Sequence, residues 1–374
     1  LIVVQSELGL SQNIEIARSF EDIDVMYSAH THEITLGALL ADGDAVTRTT
    51  PGLPLSGAEK NRLARGAAIV VETNRDMYVG QLDVQVAGGK VVDFEWLAIP
   101  VDESVPADPD MAALVAELEE DFVPGIDGVV KPHVFLPGAF CTPGCGAFGE
   151  RGHYLTEGLD TVVGSTDTLL LRHHVLEDTL NNWLADAIRS EADKVVAADS
   201  TDPWSGVDIS MSNGFRFGNA VLPDSDITLR DLYTWFPVGP AVNIGEFSGQ
   251  AIEASLEEIL SAVFNRNAFL QRGGWYLGLA NMTQEIDLDN RPFSSSGGRI
   301  VETMVGGAPL DTSKRYVFAS CYAHGDAIDR VCRTGGGSEH RFFELADATD
   351  YASATSIVDP VLLPPTGPVK RVAP

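Results

Sequence analysis

Two short apolar runs flank a helical pattern near the start of the chain, and the second run leads into a pair of histidines. Leu1 to Val4 reads as a core strand, and a helical spacing follows with Ile14, Ile16, Ala17 and Phe20 on one side. Ile23 to Tyr27 then reads as a short buried strand, and residues 28–33 are Ser-Ala-His-Thr-His-Glu. Apolar runs this short, bounded by polar residues, are strands of a sheet. The order strand, polar loop, helix, strand therefore fixes His30 and His32 at a strand-to-loop junction. Two imidazoles one residue apart on such a junction can reach one metal ion, or two neighbouring ions, without the ordering of a floppy segment. A bare H-x-H also occurs by chance, so its neighbourhood has to carry the reading.

That neighbourhood resembles the closing half of the calcineurin-like metallophosphoesterase domain of the 5′-nucleotidase family. There a Ser-His-x-Gly precedes a Gly-His-Thr-His by about twenty residues. This chain has Ser6-Glu7-Leu8-Gly9 and Ala29-His30-Thr31-His32. Glu7 stands where the family has its first histidine, and Ala29 where it has glycine. The resemblance implies that His30 and His32 are metal ligands and that the cofactor is a pair of divalent ions: manganese, zinc or iron. For Glu7 two readings stand. It is either a carboxylate ligand, bringing negative charge where imidazole is neutral, or a solvated side chain beside a weakened metal position.

Leu1 is not a methionine, and no signal peptide or lead-in precedes the first strand. The expectation is that the chain begins inside a domain. In the resembling family the upstream half supplies an Asp-x-His pair, a second aspartate and an Asn-His-Glu motif. No catalytic residue is therefore expected within this chain itself, and the fragment alone is expected to be inactive. Residues 358–374 are proline-rich and look like the terminal strand and tail of the family.

Length and charge narrow the class. A chain of 374 residues with 44% hydrophobic content buries ample core and reads as two domains. No run approaches the roughly eighteen apolar residues of a membrane span. A formal charge of −29 without a basic patch excludes binding of a nucleic-acid polymer through phosphate contacts. Arginine outnumbers lysine among the basic residues, which fits either salty surroundings or compositional drift. The four cysteines form two local pairs, Cys141 with Cys145 and Cys321 with Cys332. These read as two disulfides in an oxidising compartment, periplasmic or secreted, or else as free buried thiols.

Further along, Ala67 to Thr73, Tyr78 to Val86 and Val91 to Leu97 read as successive strands. Gly88-Gly89 between two alternating runs is a hairpin signal. Residues 41 to 66 look like an exposed insertion. Asp108 to Phe122 reads as an acidic connecting helix with Met111, Leu114, Val115 and Leu118 on one face, followed by a Pro/Gly/Cys-rich loop. A second block begins with a strand at residues 162–172. It continues with a helix near Leu176 to Ala192, a strand at Val207 to Met211, a loop holding Arg216, and a helix around Ser248 to Phe264. This succession resembles the 5′-nucleotidase C-terminal domain. The fold class is α/β: a partial metallophosphoesterase β-sandwich flanked by helices over residues 1–105, a connector over 106–159, and an α/β C-terminal substrate-binding domain over 160–374.

The same resemblance points to a substrate site. Arg216, in a loop after a buried strand, matches the family's substrate arginine; a guanidinium offers planar bidentate donors, and the alternative is a surface ion pair. Asn281 matches a loop asparagine and Tyr322 the second of two rings that sandwich a base, since every base has a π-face to stack. Leu279 falls where the first ring is expected. The implied function is metal-dependent hydrolysis of a phosphate monoester, with a small-molecule nucleotide as substrate. Residues 164–172, 214–218 and 273–282 instead resemble a sister branch, the thiosulfohydrolases of sulfur oxidation, whose partner is a persulfonated carrier protein. A third reading, prompted by Glu7, is a catalytically inactive nucleoside-binding homologue. His173-His174 and the glycine groups lack ligand or phosphate-loop settings and read as surface and turns.

Overall fold

The computed structural model describes the chain except residues 44, 74–76, 103, 125–127, 132, 135–153, 156, 173–174, 199–202, 213–217, 236–240, 273–274, 291–297, 323–337 and 344–374. The chain forms two compact units, Leu1–Ala107 with Asn265–Gly274, and Asp108–Phe264 with Trp275–Pro374.

In the first unit β1 (Val3–Ser6), α1 (Leu10–Ser19) and β2 (Val25–Ser28) make a strand–helix–strand unit, followed by β3 (Leu39–Asp42), β4 (Ala45–Arg48), α2 (Gly57–Ala64) and β5 (Ala68–Val71). The sheet order is β1-β2-β5-β3-β4. Strands β1, β2 and β5 run parallel, while β3 is antiparallel to both β5 and β4. The period-2 alternation of side chains divides the core in two. Met26, Leu39, Ala41, Ala68 and Val70 face α1 and its Ala17. Val25, Leu40, Ile69 and Val71 pack on the other side with Leu63 of α2 and with Phe94 and Trp96. A strand buried on both faces reads as continuous apolar sequence, as Ala67 to Val71 does, each buried. Phe94 and Trp96 belong to β7 (Lys90–Pro100), which pairs with β6 (Tyr78–Ala87) as a long hairpin laid on this face. Its two-residue turn is Gly88-Gly89 at φ +60° and +79°, the left-handed pair that matches the twist of the flanking strands.

Residues 41 to 66 are largely exposed, β4 throughout, yet they are built into the unit: β4 pairs with β3, and α2 buries Arg62 and Leu63. Arg62 donates to Asp42 at 2.8 Å and to the Ala45 carbonyl at 2.7 Å, tying α2 to the β3–β4 turn.

The second unit opens with α3 (Pro109–Glu119), capped by Asp108, whose carboxylate accepts from the Asp110 and Met111 N–H groups. None of its residues is buried, and the expected apolar face of Met111, Leu114, Val115 and Leu118 is exposed. After the short pair β8 (His133–Val134) and β9 (Tyr154–Leu155) come β10 (Val162–Thr166), helix Thr179–Ala198, β11 (Ile209–Ser212), β12 (Ser225–Thr228), β13 (Ala241–Ser248) and helix Gly249–Val263. The strands β14 (Gly278–Ala280), β15 (Met282–Ile286), β16 (Ile300–Val305), β17 (Ala308–Pro309), β18 (Arg315–Tyr322) and β19 (Ser338–Phe343) complete it. The main sheet runs β14-β11-β18-β13-β19, with β11 and β18 parallel. Helix Gly249–Val263 covers one face through Ile252, Leu256, Ile259 and Leu260. Helix Thr179–Ala198 covers the other through Ile188, Ala192 and Val196. This is the α/β architecture of helices on both faces of a sheet. Two sequence boundaries shift: the strand expected over 162–172 ends at Thr166, and the helix expected to end near Ala192 continues to Ala198.

Candidate functional site

Register places the polar residues at one edge of the first sheet. Ser6 of β1 pairs with Ser28 of β2, and Tyr27 pairs with Val71 of β5. Glu7, Ala29-His30 and Glu72, one or two residues on, therefore share the carboxyl edge of three parallel strands, where open α/β sheets place their ligands. The Ala29 N–H still donates to the Ser6 carbonyl at 3.0 Å. Beyond it the backbone turns left-handed, with His30 at φ +89° and His32 at φ +53°. Non-glycine residues rarely adopt such angles, which cost on the order of 1–3 kcal/mol and persist only where surroundings over-determine them.

The surroundings are a buried polar network. Glu72 is 1% exposed. Its Oε2 accepts from the Ser28 hydroxyl at 2.7 Å and its Oε1 from the Glu33 N–H at 3.1 Å, so one carboxylate spans both ends of the histidine loop. Ser28 Oγ accepts in turn from Asn13 Nδ2 of α1 at 2.8 Å. Thr35 ties the loop to β5: its N–H donates to the Glu72 carbonyl at 2.8 Å and its Oγ1 accepts from the Glu72 N–H at 2.9 Å. Trp96 of the hairpin closes the network, donating its indole N–H to the Thr35 carbonyl at 2.6 Å. Thr31, between the histidines, is buried; its Oγ1 accepts from the Leu10 N–H at the start of α1 and donates to Glu33. Burial pushes the Glu72 carboxyl above its ordinary range, and the hydrogen bonds from Ser28, Glu33 and Thr31 pull it part of the way back.

His30 is exposed, His32 half-buried and Glu7 exposed. Neutral imidazoles on a braced loop are donors of the right kind for a transition metal. Among the described residues, however, no three His, Cys, Asp or Glu side chains stand close enough to hold an ion. The donors thus fit a metal in kind and fall short in number.

In the second unit Arg216 lies outside the described residues, as do Cys141, Cys145, Cys332 and His173-His174; of Tyr322 and Cys321 the backbone alone is described. Tyr322 ends β18, opposite Ala241. Asn281 stands elsewhere. It follows Ala280, which pairs with Ser210, while Ser210 also pairs with Ala319 of β18. Asn281 is therefore level with Phe318, four residues from Tyr322 along the strand direction, or ~13 Å. Its side chain is engaged there: at φ +58° it donates to the Asp208 carbonyl at 2.8 Å, and its own carbonyl accepts from Gly306 at 3.0 Å. It lines an open depression of about 420 Å³ with Arg189, Asp193, Trp204 and Asp208. The structure does not bring Asn281 and Tyr322 together. Leu279 is half-buried and packs on the hydrophobic core.

Among the described residues, Trp275 and Tyr276 are aromatics on Tyr322's side of β14. Gly278 pairs with Ser212, so the chain before it emerges at the carboxyl ends of β11 and β18. Trp275 is half-buried at φ +56°, and Tyr276 is buried with its hydroxyl on Gln284 at 2.6 Å. Sequence reading gave neither of them a role as a ring of the site, and gave none to Glu72, Ser28 or Asn13.

Residues 162–326 match the family model described as the 5′-nucleotidase C-terminal domain. Among curated proteins, the trifunctional nucleotide phosphoesterase protein YfkN of Bacillus subtilis is 21% identical over 311 residues, covering 81% of this chain and 16% of that protein. Among solved structures, the Thermus thermophilus sulfate thiohydrolase SoxB, in complex with glycerol, superposes with TM-score 0.58 and 20% identity over 96% of this chain and 52% of its own. A 5′-nucleotidase precursor, also from Thermus thermophilus, gives TM-score 0.54 and 19% identity over 85% and 53%. The chain shares their fold and spans about half their length. Among the described residues, no helix is long and apolar enough to cross a membrane.

Proposed function

We propose that this chain, whose residues 162–326 match the family model of the 5′-nucleotidase C-terminal domain, takes part in the hydrolysis of a phosphate monoester, with a nucleotide as the substrate class. The observation that carries the reading is the histidine loop: His30 and His32, both in left-handed backbone, held by a buried network at the carboxyl edge of three parallel strands. Backbone held in sparsely populated angles by its surroundings clusters at functional sites, which supports a task for this loop.

In this reading His30 and His32 are ligands for one or both of two divalent ions (manganese, zinc or iron), with Glu7 as a third donor. Such ions supply, when bound, a water acidic enough to be deprotonated near neutral pH. The chain's own residues set the direction of the imidazoles and keep water out from beneath the loop. Tyr322 and Arg216 serve the leaving group, and Trp275 is a better placed first ring than Leu279. Asn281 remains a candidate for a part of the substrate that reaches along the sheet from Tyr322. A secreted or periplasmic location accompanies the reading, supported by the precursor form of the nucleotidase neighbour.

The test is an assay of the natural gene product on AMP and on a persulfonated cysteine peptide, in the presence of Mn²⁺. Phosphate release from AMP, lost in His30→Ala and His32→Ala at unchanged folding, is the expected result. Sulfate release from the peptide with no turnover of AMP would replace it with the carrier-protein reading, which the likeness to the sulfate thiohydrolase favours.

A further inference from the structure

We infer that Glu72 is a positioning residue for the histidine loop, a group that sets where both imidazoles point while touching neither the substrate nor an ion. The inference rests on the proposed role of His30 and His32, and it adds to that role the residue on which it depends.

Three observations on the first unit carry it. Glu72 joins the two ends of the loop: Ser28, the last residue of β2, on one carboxylate oxygen, and the N–H of Glu33, next to His32, on the other. Its own backbone is fixed from both sides, by β5 before it and by the paired bonds with Thr35 after it. The residues between the clamp points carry positive φ at His30 and His32, a conformation that relaxes when a short loop is released. A buried carboxylate is a costly way to fill space, since burial without full pairing penalises its charge. An apolar side chain at residue 72 would satisfy the sheet equally well and leave Ser28 and the Glu33 N–H without their acceptor.

The clamp works through geometry. Oε2 fixes the exit of β2, Oε1 fixes the return at Glu33, and the separation of the two oxygens sets the span that the loop closes. Asn13 adds a third point from α1 through Ser28. Outer groups that orient metal-binding histidines typically change metal affinity about 10–100-fold when removed.

The test uses the natural gene product with Glu72→Ala, Glu72→Gln and Ser28→Ala. It reads amide hydrogen exchange over residues 29–35, with helix Thr179–Ala198 as the internal reference, and Mn²⁺ affinity by calorimetry. Glu72→Ala is expected to speed exchange in the loop at least about 10-fold with the reference unchanged, and to weaken Mn²⁺ binding by about 10–100-fold. Glu72→Gln keeps a carbonyl for the Glu33 N–H and an amide that can donate to the Ser28 oxygen, so it recovers most of both. Ser28→Ala removes one clamp point and falls between them, and with Glu72→Gln it decides the matter if Glu72→Ala does not fold. Wild-type exchange and affinity in Glu72→Ala would overturn the inference, and so would equal damage in Glu72→Ala and Glu72→Gln. If the wild-type protein binds no Mn²⁺, the metal reading fails and the exchange measurements decide the clamp alone.

Discussion

Each unit buries a glutamate that ties one segment of chain to another, and the two glutamates do different work. Glu257, on helix Gly249–Val263, accepts from two consecutive backbone N–H groups, Arg299 at 2.8 Å and Ile300 at 3.0 Å, and so fastens the start of β16 to the helix. Neither partner has a positive φ, and the tie is part of the packing. Glu72 accepts from one N–H and one hydroxyl, and between those two points lie residues in left-handed backbone. The same side chain thus makes a joint in one unit and holds a strained loop in the other. Burial of a carboxylate by itself says nothing about function; the conformation of what it holds does.

The largest expected effect tests the functional side of that contrast. His30→Ala or His32→Ala should lower kcat/KM on AMP by about 10³-fold, ~4 kcal/mol, while the melting temperature stays within a few degrees of wild type, because neither imidazole is a core group. A small change in rate would make the loop structural and remove the contrast. Next comes Glu257→Ala. It leaves the Arg299 and Ile300 N–H groups buried without an acceptor and should cost roughly 2–5 kcal/mol in chemical denaturation, with loop exchange at residues 29–35 unchanged.

Smaller again is Gly9→Ala. Gly9 stands at φ +103° and an added Cβ would lie 2.7 Å from Thr31 Cγ2, so the start of α1 and the histidine loop must separate. About 1–3 kcal/mol of destabilisation is expected from the backbone angle alone, together with faster exchange of Thr31, the first read by chemical denaturation and the second by hydrogen exchange. The smallest effect concerns Glu191, buried on helix Thr179–Ala198. Burial pushes its carboxyl up from 4.5, and Lys194 pulls it back. The folded chain holds that proton more tightly than the unfolded chain. The stability it contributes is therefore full below the unfolded value and lost as pH rises through the higher folded one. Glu191→Gln removes this slope, so its melting temperature should gain on wild type as pH is raised from about 4 to about 8. A constant difference would mean that Lys194 offsets the cost of burying Glu191 in full.

What sequence reading could see, it saw through local chemistry. The hairpin Tyr78–Pro100 was legible because alternation and a Gly-Gly turn agree. The helix after Ser248 was legible from its apolar spacing, and its cap, the Ser248 hydroxyl accepting from Ala251, is there in the structure. Within residues 41 to 66 the start of α2 carried a signal that went unused: Ser56-x-x-Glu59 is a capping box, with the Ser56 N–H on Glu59 at 2.6 Å and the Glu59 N–H on Ser56 at 3.3 Å. The buried strand before it was masked by its polar neighbours. His30 and His32 could be singled out because their spacing is local. Glu72 could not, because it lies 44 residues from Ser28 and meets it only through the parallel pairing of β2 with β5. The offset of Asn281 from Tyr322 was not legible either, since the direction of β14 relative to β11 is invisible in a linear pattern.

Trp96 has a use that its packing did not require. Its indole N–H rests on the Thr35 carbonyl, the residue whose N–H and hydroxyl meet Glu72. Emission from an indole shifts with the polarity and hydrogen bonding of its surroundings, so the hairpin carries a built-in fluorophore wired to the loop. In a background where the other four tryptophans are replaced by phenylalanine, occupancy of the histidines could be followed optically from inside the protein, with no label attached.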